Sequence, residues 1–301
     1  RLGMWAKEQE IAVTVGEIIA ENWVNSSRYL EAQELCREIL QLGENYRILG
    51  TIARAETTLG FVEDALRHYQ TALQLCPEDD LTTKAATLHN MAGLKAQQGK
   101  IQDAIALYQQ SLEITDSIKD VGGKAATLAN LAYWEGKRGN KTQQLELNLE
   151  AAQIFGQSRA YIDLRLVLKN LGVTDETKGI IYLAQAVWLC LGVQVPLTDT
   201  VDTFTSMYQL VPKAGAMKAL LGTAVMYLCQ IRGAEHPQLE ELQQRSGEIL
   251  SGAAQAQGIE TQEAFDSWIV QQRLNDPEYF MPRLVEKLEE IVGDGWLFER
   301  F

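Results

Sequence analysis

The side chains able to do chemistry in this chain are scattered. His68, His89 and His236 are too few and too far apart for a metal site. Cys36, Cys76, Cys190 and Cys229 form no CxxC pair, and no histidine stands at ligand spacing from them. No HExxH, GxxxxGK[ST], GxSxG or strand-borne GxGxxG motif occurs. The carboxylate pairs Asp79/Asp80 and Glu289/Glu290 fall in linkers or on polar faces, where solvated charge is the expected reading. Catalysis is therefore not expected, and no cofactor or metal is called for.

What does recur is a phrase. Lys84-Ala85-Ala86-Thr87-Leu88-His89-Asn90-Met91-Ala92 returns forty residues later as Lys124-Ala125-Ala126-Thr127-Leu128-Ala129-Asn130-Leu131-Ala132, with seven of nine residues identical. A near copy at a fixed interval signals a repeat architecture. Such arrays make extended surfaces in preference to reaction centres.

The elements that carry the phrase are helical. Apolar residues recur at i, i+3, i+4 and i+7 almost throughout, only six prolines occur, and no run alternates as a strand would. Gly60, Gly99, Gly139 and Gly172 each separate two such runs, at spacings of 39, 40 and 33 residues. Glycine ends a helix in the left-handed conformation at little cost, so each is expected to turn an antiparallel hairpin. The apolar stretches Gly179–Val195 and Ala214–Cys229 fall short of the ~20 residues that a membrane span needs. They read as core helices.

The hairpins resemble the tetratricopeptide repeat family. Its second-helix pattern is matched in full by Gly60, Ala65, Tyr69, Ala72 and Pro77. Gly99, Ala104, Tyr108 and Ser111 match it again, and Gly139, Gln144, Asn148 and Ala151 do so in degraded form. Ala53, Ala92 and Ala132 supply the small residue seven before each glycine. With Ser27 as turn residue, Ala20 and Ala32 define an earlier unit, although Cys36 and Ile39 replace the aromatic and the alanine. Around Gly172 the pattern weakens, since Arg165 and Thr177 hold the small-residue positions while Ile181 and Ala184 still fit. Paired alanines let two helices cross closely, and the aromatic fills the gap toward the next hairpin.

The resemblance implies an all-α fold, a right-handed superhelical stack of antiparallel helical hairpins with a helical C-terminal extension. The units fall at about 13–46, 46–79, 85–118, 125–158 and 158–191, so the array spans 1–195 and the extension 196–301. Helices in the extension are expected near 198–210, 212–232, 237–257, 261–275 and 277–292, with Asp276 capping and Pro277 at the first helical position of the last. Trp296, Phe298 and Phe301 pack back on the last helix, or else dock on a following domain or a second copy.

It also implies a function. In the family the first helix of each hairpin lines a concave groove. Carried over by position, the groove-facing residues are Arg47, Gly50, Thr51, Arg54, Thr57 and Thr58 before Gly60. Before Gly99 they are Ala86, His89, Asn90, Gly93, Ala96 and Gln97, and before Gly139 they are Ala126, Ala129, Asn130, Tyr133, Gly136 and Lys137. Relatives use an Asn at the position of Asn90 and Asn130 as a ladder along a bound peptide backbone, since an amide both donates and accepts. The alternative is that each Asn bonds a neighbouring helix. The polar and aromatic contacts would come from Arg47, Arg54, His89, Gln97, Tyr133 and Lys137, and the small residues would leave the wall shallow. Three cations and no acid among these positions favour an acidic ligand. The family's clamp for chaperone C-termini is not reproduced, because Thr51 stands where an Asn is needed.

The expected role is a non-catalytic scaffold that holds a peptide or protein segment in this groove. The alternatives are a regulatory array of a larger signalling or effector protein, and a self-assembly module forming homo-oligomers. The net charge of −13 argues against nucleic acid and against an anionic membrane surface. From Glu235 to Phe301 there are 14 acidic and 5 basic residues, a net of −9 that leaves −4 for the rest. Solubility is the expected role of that acidity, and a basic partner is the alternative. Cysteine usage and the lack of a visible signal peptide point to a reducing, cytoplasmic setting. The start at Arg1 reads as a part excised from a longer protein.

Overall fold

The computed structural model describes residues 2–211, 216–233 and 237–301, with side chains from residue 10 onward. His236 lies outside the described residues. Among the described residues there are helices and no strands. Contacts between residues divide the chain into two compact units, 1–144 and 145–301.

The first unit is a run of antiparallel hairpins. α1 (Leu2–Asn25) pairs with α2 (Tyr29–Leu40), α3 (Tyr46–Leu59) with α4 (Val62–Leu75), and α5 (Leu81–Gln97) with α6 (Ile101–Ser117). α7 (Val121–Lys137) follows, and the unit ends within α8 (Lys141–Gln157). Gly60, Gly99 and Gly139 take φ values of 85°, 76° and 93°, the left-handed turn expected of them. Ser27 takes the same region at 61° in the first hairpin. Ala53, Ala65, Ala92, Ala104 and Ala132 are fully buried at the helix crossings. Tyr69 joins Ala53 and Ala65 of its own hairpin to Met91 and Leu94 of the next, which is how an aromatic ring knits two units together.

The duplicated phrase is placed by a duplicated cap. Asp80 accepts from the Thr83 backbone N–H at 3.1 Å, and Asp120 from the Gly123 N–H at 2.9 Å. Each carboxylate satisfies a donor that the first turn of its helix leaves free. Asp80 also accepts from the Tyr46 hydroxyl at 2.8 Å and pairs with Arg47 at 3.3 Å. It is thus a structural acid and not the solvated linker charge expected from sequence. Burial opposes its ionisation, but the hydrogen bonds from Thr83 and Tyr46 and the Arg47 charge outweigh this and hold its carboxyl below the usual range.

In the second unit α9 (Tyr161–Thr174) pairs with α10 (Gly179–Gly192), and α10 packs on α11 (Leu197–Leu210) with no break in packing at Pro196. α12 (Ala216–Arg232) pairs with α13 (Leu239–Gln255). α14 (Gln262–Gln271) precedes α15 (Pro277–Val292), which packs on α10 and α12. The two apolar runs are buried along α10 and α12, and no described helix is long and apolar enough to cross a membrane.

Three expectations change here. Gly172 does not turn a hairpin. It lies inside α9, where a Cβ would stand 2.4 Å from Leu183 and 3.1 Å from the Gly179 carbonyl oxygen. Its service is close approach of α10. The turn comes later, where Asp175 Oδ1 accepts from the N–H groups of Thr177 and Lys178. Asp276 precedes Pro277 as expected but gives no cap hydrogen bond, because its carboxylate is taken by Arg273 at 2.5 Å. The terminal aromatics pack back, but against α9 and α10. Trp188 meets Trp296, Phe298 and Phe301 at centroid separations of 5.4, 5.9 and 4.9 Å. Gln185 fixes the same segment, accepting from Leu297 N–H at 2.9 Å and donating to the Gly295 carbonyl at 3.1 Å.

Candidate binding cleft of the first unit

α3, α5 and α7 are the first helices of successive hairpins, and the residues assigned to the groove converge on one side of them. A cleft of about 590 Å³ is lined by Arg54, Thr57 and Thr58 of α3, by His89, Asn90, Gly93 and Gln97 of α5, and by Asn130 of α7. A second hollow of about 530 Å³ shares Arg54 and Asn90 with it and adds Arg47, Gly50, Thr51 and Ala86. Five of the eight expected contact residues, Arg54, His89, Asn90, Gln97 and Asn130, therefore border one cleft, and Arg47 borders its extension. Tyr133 and Lys137 lie further along α7, outside both hollows. They are exposed and engage each other, the Lys137 ammonium standing 5.4 Å from the Tyr133 ring centre.

Both asparagines reach back to the preceding hairpin. The Asn130 amide Nδ2 donates to His89 Nε2 at 3.1 Å. His89 must then carry its proton on Nδ1, which lies 3.0 Å from Thr127 Oγ1. Thr127 passes its own proton to the Gly123 carbonyl at 2.8 Å. The Tyr108 ring meets His89 edge-on at 5.3 Å. Burial pushes the His89 pKa below the ordinary imidazole value, so the neutral ring this network requires is the favoured one. Asn90 and Thr57 engage the Tyr69 hydroxyl, whose pKa burial drives upward. The alternative for these amides, a bond to a neighbouring helix, thus holds for one face of Asn130. Asn130 remains exposed, and its Oδ1 has no partner among the described residues.

Of the three cations behind the expected basic bias of the wall, the two arginines are paired with acids. Arg54 pairs with Glu21 at 3.3 Å and donates to Asn25 at 3.0 Å. Arg47 is shared among Glu17, Asp80 and the Tyr46 hydroxyl. Glu17 and Glu21 come from α1, and Asp80 from the N-terminus of α5. Sequence reasoning missed Glu17, Glu21 and Asn25, yet the same rule would have found them, for they stand 10, 6 and 2 residues before Ser27. The shallow wall is corrected as well. Ala96 is buried, and a Cβ on Gly136 would meet the Gln144 side chain at 2.4 Å. Gly136 makes room for Gln144, the residue that replaces the expected alanine on α8.

Other titratable clusters serve packing. Glu56, 1% exposed, is held by His68 Nδ1 at 2.7 Å and Gln33 at 3.2 Å, tying α2, α3 and α4 together. Burial, helped by Glu56, pushes the Cys36 thiol up to about 12, so it is inert at neutral pH. No cluster of His, Cys, Asp and Glu able to hold a metal occurs among the described residues.

A family model described as tetratricopeptide repeat matches residues 44–117 and again 83–157. The structure of BtubC (BKLC) from P. vanneervenii is similar at 16% identity and a TM-score of 0.50, over 81% of this chain and 91% of that one. The Pseudomonas aeruginosa pilF structure matches at 15% identity and 0.43, over 79% and 99%. A kinesin light chain structure with nearly identical TPR-like repeats, from Podosopora anserina, matches at 14% and 0.40, over 71% and 97%. No curated protein sequence matches.

Proposed function

Given that this chain belongs to the tetratricopeptide repeat family, through residues 44–157, we propose that its first unit binds an extended peptide or protein segment in the cleft between α3, α5 and α7. The observation that carries this reading is the stepped placement of Asn90 and Asn130. Both amides border the cleft with hydrogen-bonding capacity left over, Asn130 anchored behind by His89 and Asn90 beside the Tyr69 hydroxyl. Amides held this way are preformed and lose little entropy on binding. The repeat of one hairpin sets their interval, and an uncharged backbone is what such amides match.

Arg54 and Gln97 flank the amides, Arg47 extends the wall, and Tyr133 and Lys137 offer a further contact along α7. Because Arg47 and Arg54 are already paired with acids, the segment bound here is neutral or mixed in charge. The role is recognition and not catalysis, in keeping with a repeat family that makes surfaces. The four free cysteines, three of them buried, support a reducing cytoplasm as its setting. The array also suits the sensor part of a larger signalling protein.

The test is capture of partners by the full chain against the double variant Asn90→Ala with Asn130→Ala. Loss of partners with an unchanged melting temperature supports the cleft. Equal recovery by both proteins refutes it.

One observation favours self-association as a second reading. Ile11, Val15 and Ile18 form an exposed stripe at i, i+4 and i+7 on α1, at 62%, 49% and 58% exposure. Light scattering across a hundredfold concentration range tests it, and a constant monomer mass excludes it.

A further inference from the structure

The second unit holds a cleft of a different kind. α12, α13, α14 and α15 border a half-open cleft of about 550 Å³, within the roughly 300–1,000 Å³ typical of small-molecule sites. α14 is the shortest of the four and buries one side chain, Trp268. Phe265 and Ile269 of α14 border the space from one side, and the buried Leu250 and Phe280 border it from α13 and α15.

Tyr227, Gln230, Asp266 and Asn275 are polar members of the lining, and Thr223 is the buried one. It lies on α12, is 7% exposed, and its Oγ1 has no hydrogen-bond partner among the described residues. The other buried threonines behave differently. Thr51, Thr87, Thr127, Thr200 and Thr203 each donate to the carbonyl four residues before, and Thr115 to the one three before. A backbone acceptor of this sort is offered by every helix, so its refusal at Thr223 leaves a buried, unsatisfied hydroxyl on a residue of the cleft lining. Such a group is costly until something meets it.

We propose that this cleft binds a small apolar molecule carrying one uncharged hydrogen-bonding group, a hydroxyl, carbonyl or amide, that pairs with the Thr223 hydroxyl. The charge of the surroundings selects against a carboxylate. Asp266 borders the cleft, and the segment from Glu235 onward carries a net charge of −9. An aliphatic acid would have to bring its charge toward that field, whereas an alcohol of the same length would not.

The experiment is isothermal titration of the full chain with 1-decanol and with decanoate at pH 7.5. Saturable binding of 1-decanol is expected, with decanoate weaker by about tenfold or more. Thr223→Val should weaken 1-decanol by about five- to tenfold while melting no lower than the wild type, and Thr223→Ser should bind as the wild type does. Ile269→Trp, which fills the space, should abolish binding of both. The proposal is overturned if 1-decanol does not saturate, if decanoate binds equally well, or if Thr223→Val leaves the affinity for 1-decanol unchanged. Should Thr223→Val fail to fold, a loss of affinity in Thr223→Ser would overturn it.

Discussion

Asn130 donates its side-chain amide to His89 across 41 residues of sequence, Nδ2 to Nε2 at 3.1 Å. The contact joins the duplicated phrase to its own copy. It also admits a single protonation state, for Nε2 accepts only when the imidazole is neutral. A proton on Nε2 would break the contact with Asn130 and charge a ring that burial keeps neutral.

Stability should therefore fall in mild acid. The unfolded chain binds a proton at His89 near pH 6.5, whereas burial lowers the folded value. As pH drops below about 6.5 the unfolded state takes up the proton first, so unfolding becomes easier until the folded pKa is passed. Urea denaturation from pH 8 to 5 should show this loss in the wild type and a smaller loss in His89→Gln. An equal slope in the two proteins would remove His89 from the account.

Gly172→Ala should destabilise the second unit far more than a helix propensity argument suggests. Alanine is the better helix former by about 1 kcal/mol. Its Cβ, however, would meet Leu183 at 2.4 Å, and overpacking of this kind costs about 1–3 kcal/mol. A lower urea midpoint with unchanged cooperativity is the expected result. A rise would show that α9 and α10 can separate without loss.

Asn148→Leu should stabilise the protein. Asn148 is fully buried and neither polar atom of its amide has a partner among the described residues. It stands where Tyr69 and Tyr108 stand in the two preceding hairpins. Replacing it by an apolar side chain of similar volume removes an unsatisfied group worth about 1–3 kcal/mol. Differential scanning calorimetry should show a higher melting temperature, and no rise would mean that the amide is satisfied in solution.

Phe298→Ala should loosen the C-terminal segment, since Phe298 is 8% exposed and contacts Tyr161, Trp188 and Trp296. The expected loss is about 3–5 kcal/mol, as for other buried Phe truncations. Fluorescence of Trp188 and Trp296 should shift to the red well before the melting of the wild type. An unshifted spectrum would show the aromatic cluster holding without Phe298.

The helical hairpins were legible because their signals are local. Gly60, Gly99 and Gly139 need only their own φ to turn a chain, and Ala53 facing Ala65 needs only the hairpin they share. Gly172 misled for the same reason. A glycine that turns the backbone and one that makes room for Leu183 look alike in sequence, and only the packing partner separates them.

The groove positions were expected from the family resemblance, whose offsets from the turn residue a helix of fixed pitch keeps on one face. What those residues are free to do was not. Arg47 and Arg54 read as open cations, and only the fold brings Glu17, Glu21 and Asp80 against them. Asp80 read as linker charge until Thr83, Tyr46 and Arg47 surrounded it.

Sequence by itself determined the repeat and the helical hairpins, since each depends on spacing within a few turns of helix, while the groove face of Asn90 and Asn130 was an expectation carried by the family resemblance. The tertiary structure decided which donors and acceptors remain unspent. That quantity is set by neighbours distant in sequence, as with Asn130 on His89 41 residues away, or by the absence of any partner among the described residues, as at Thr223.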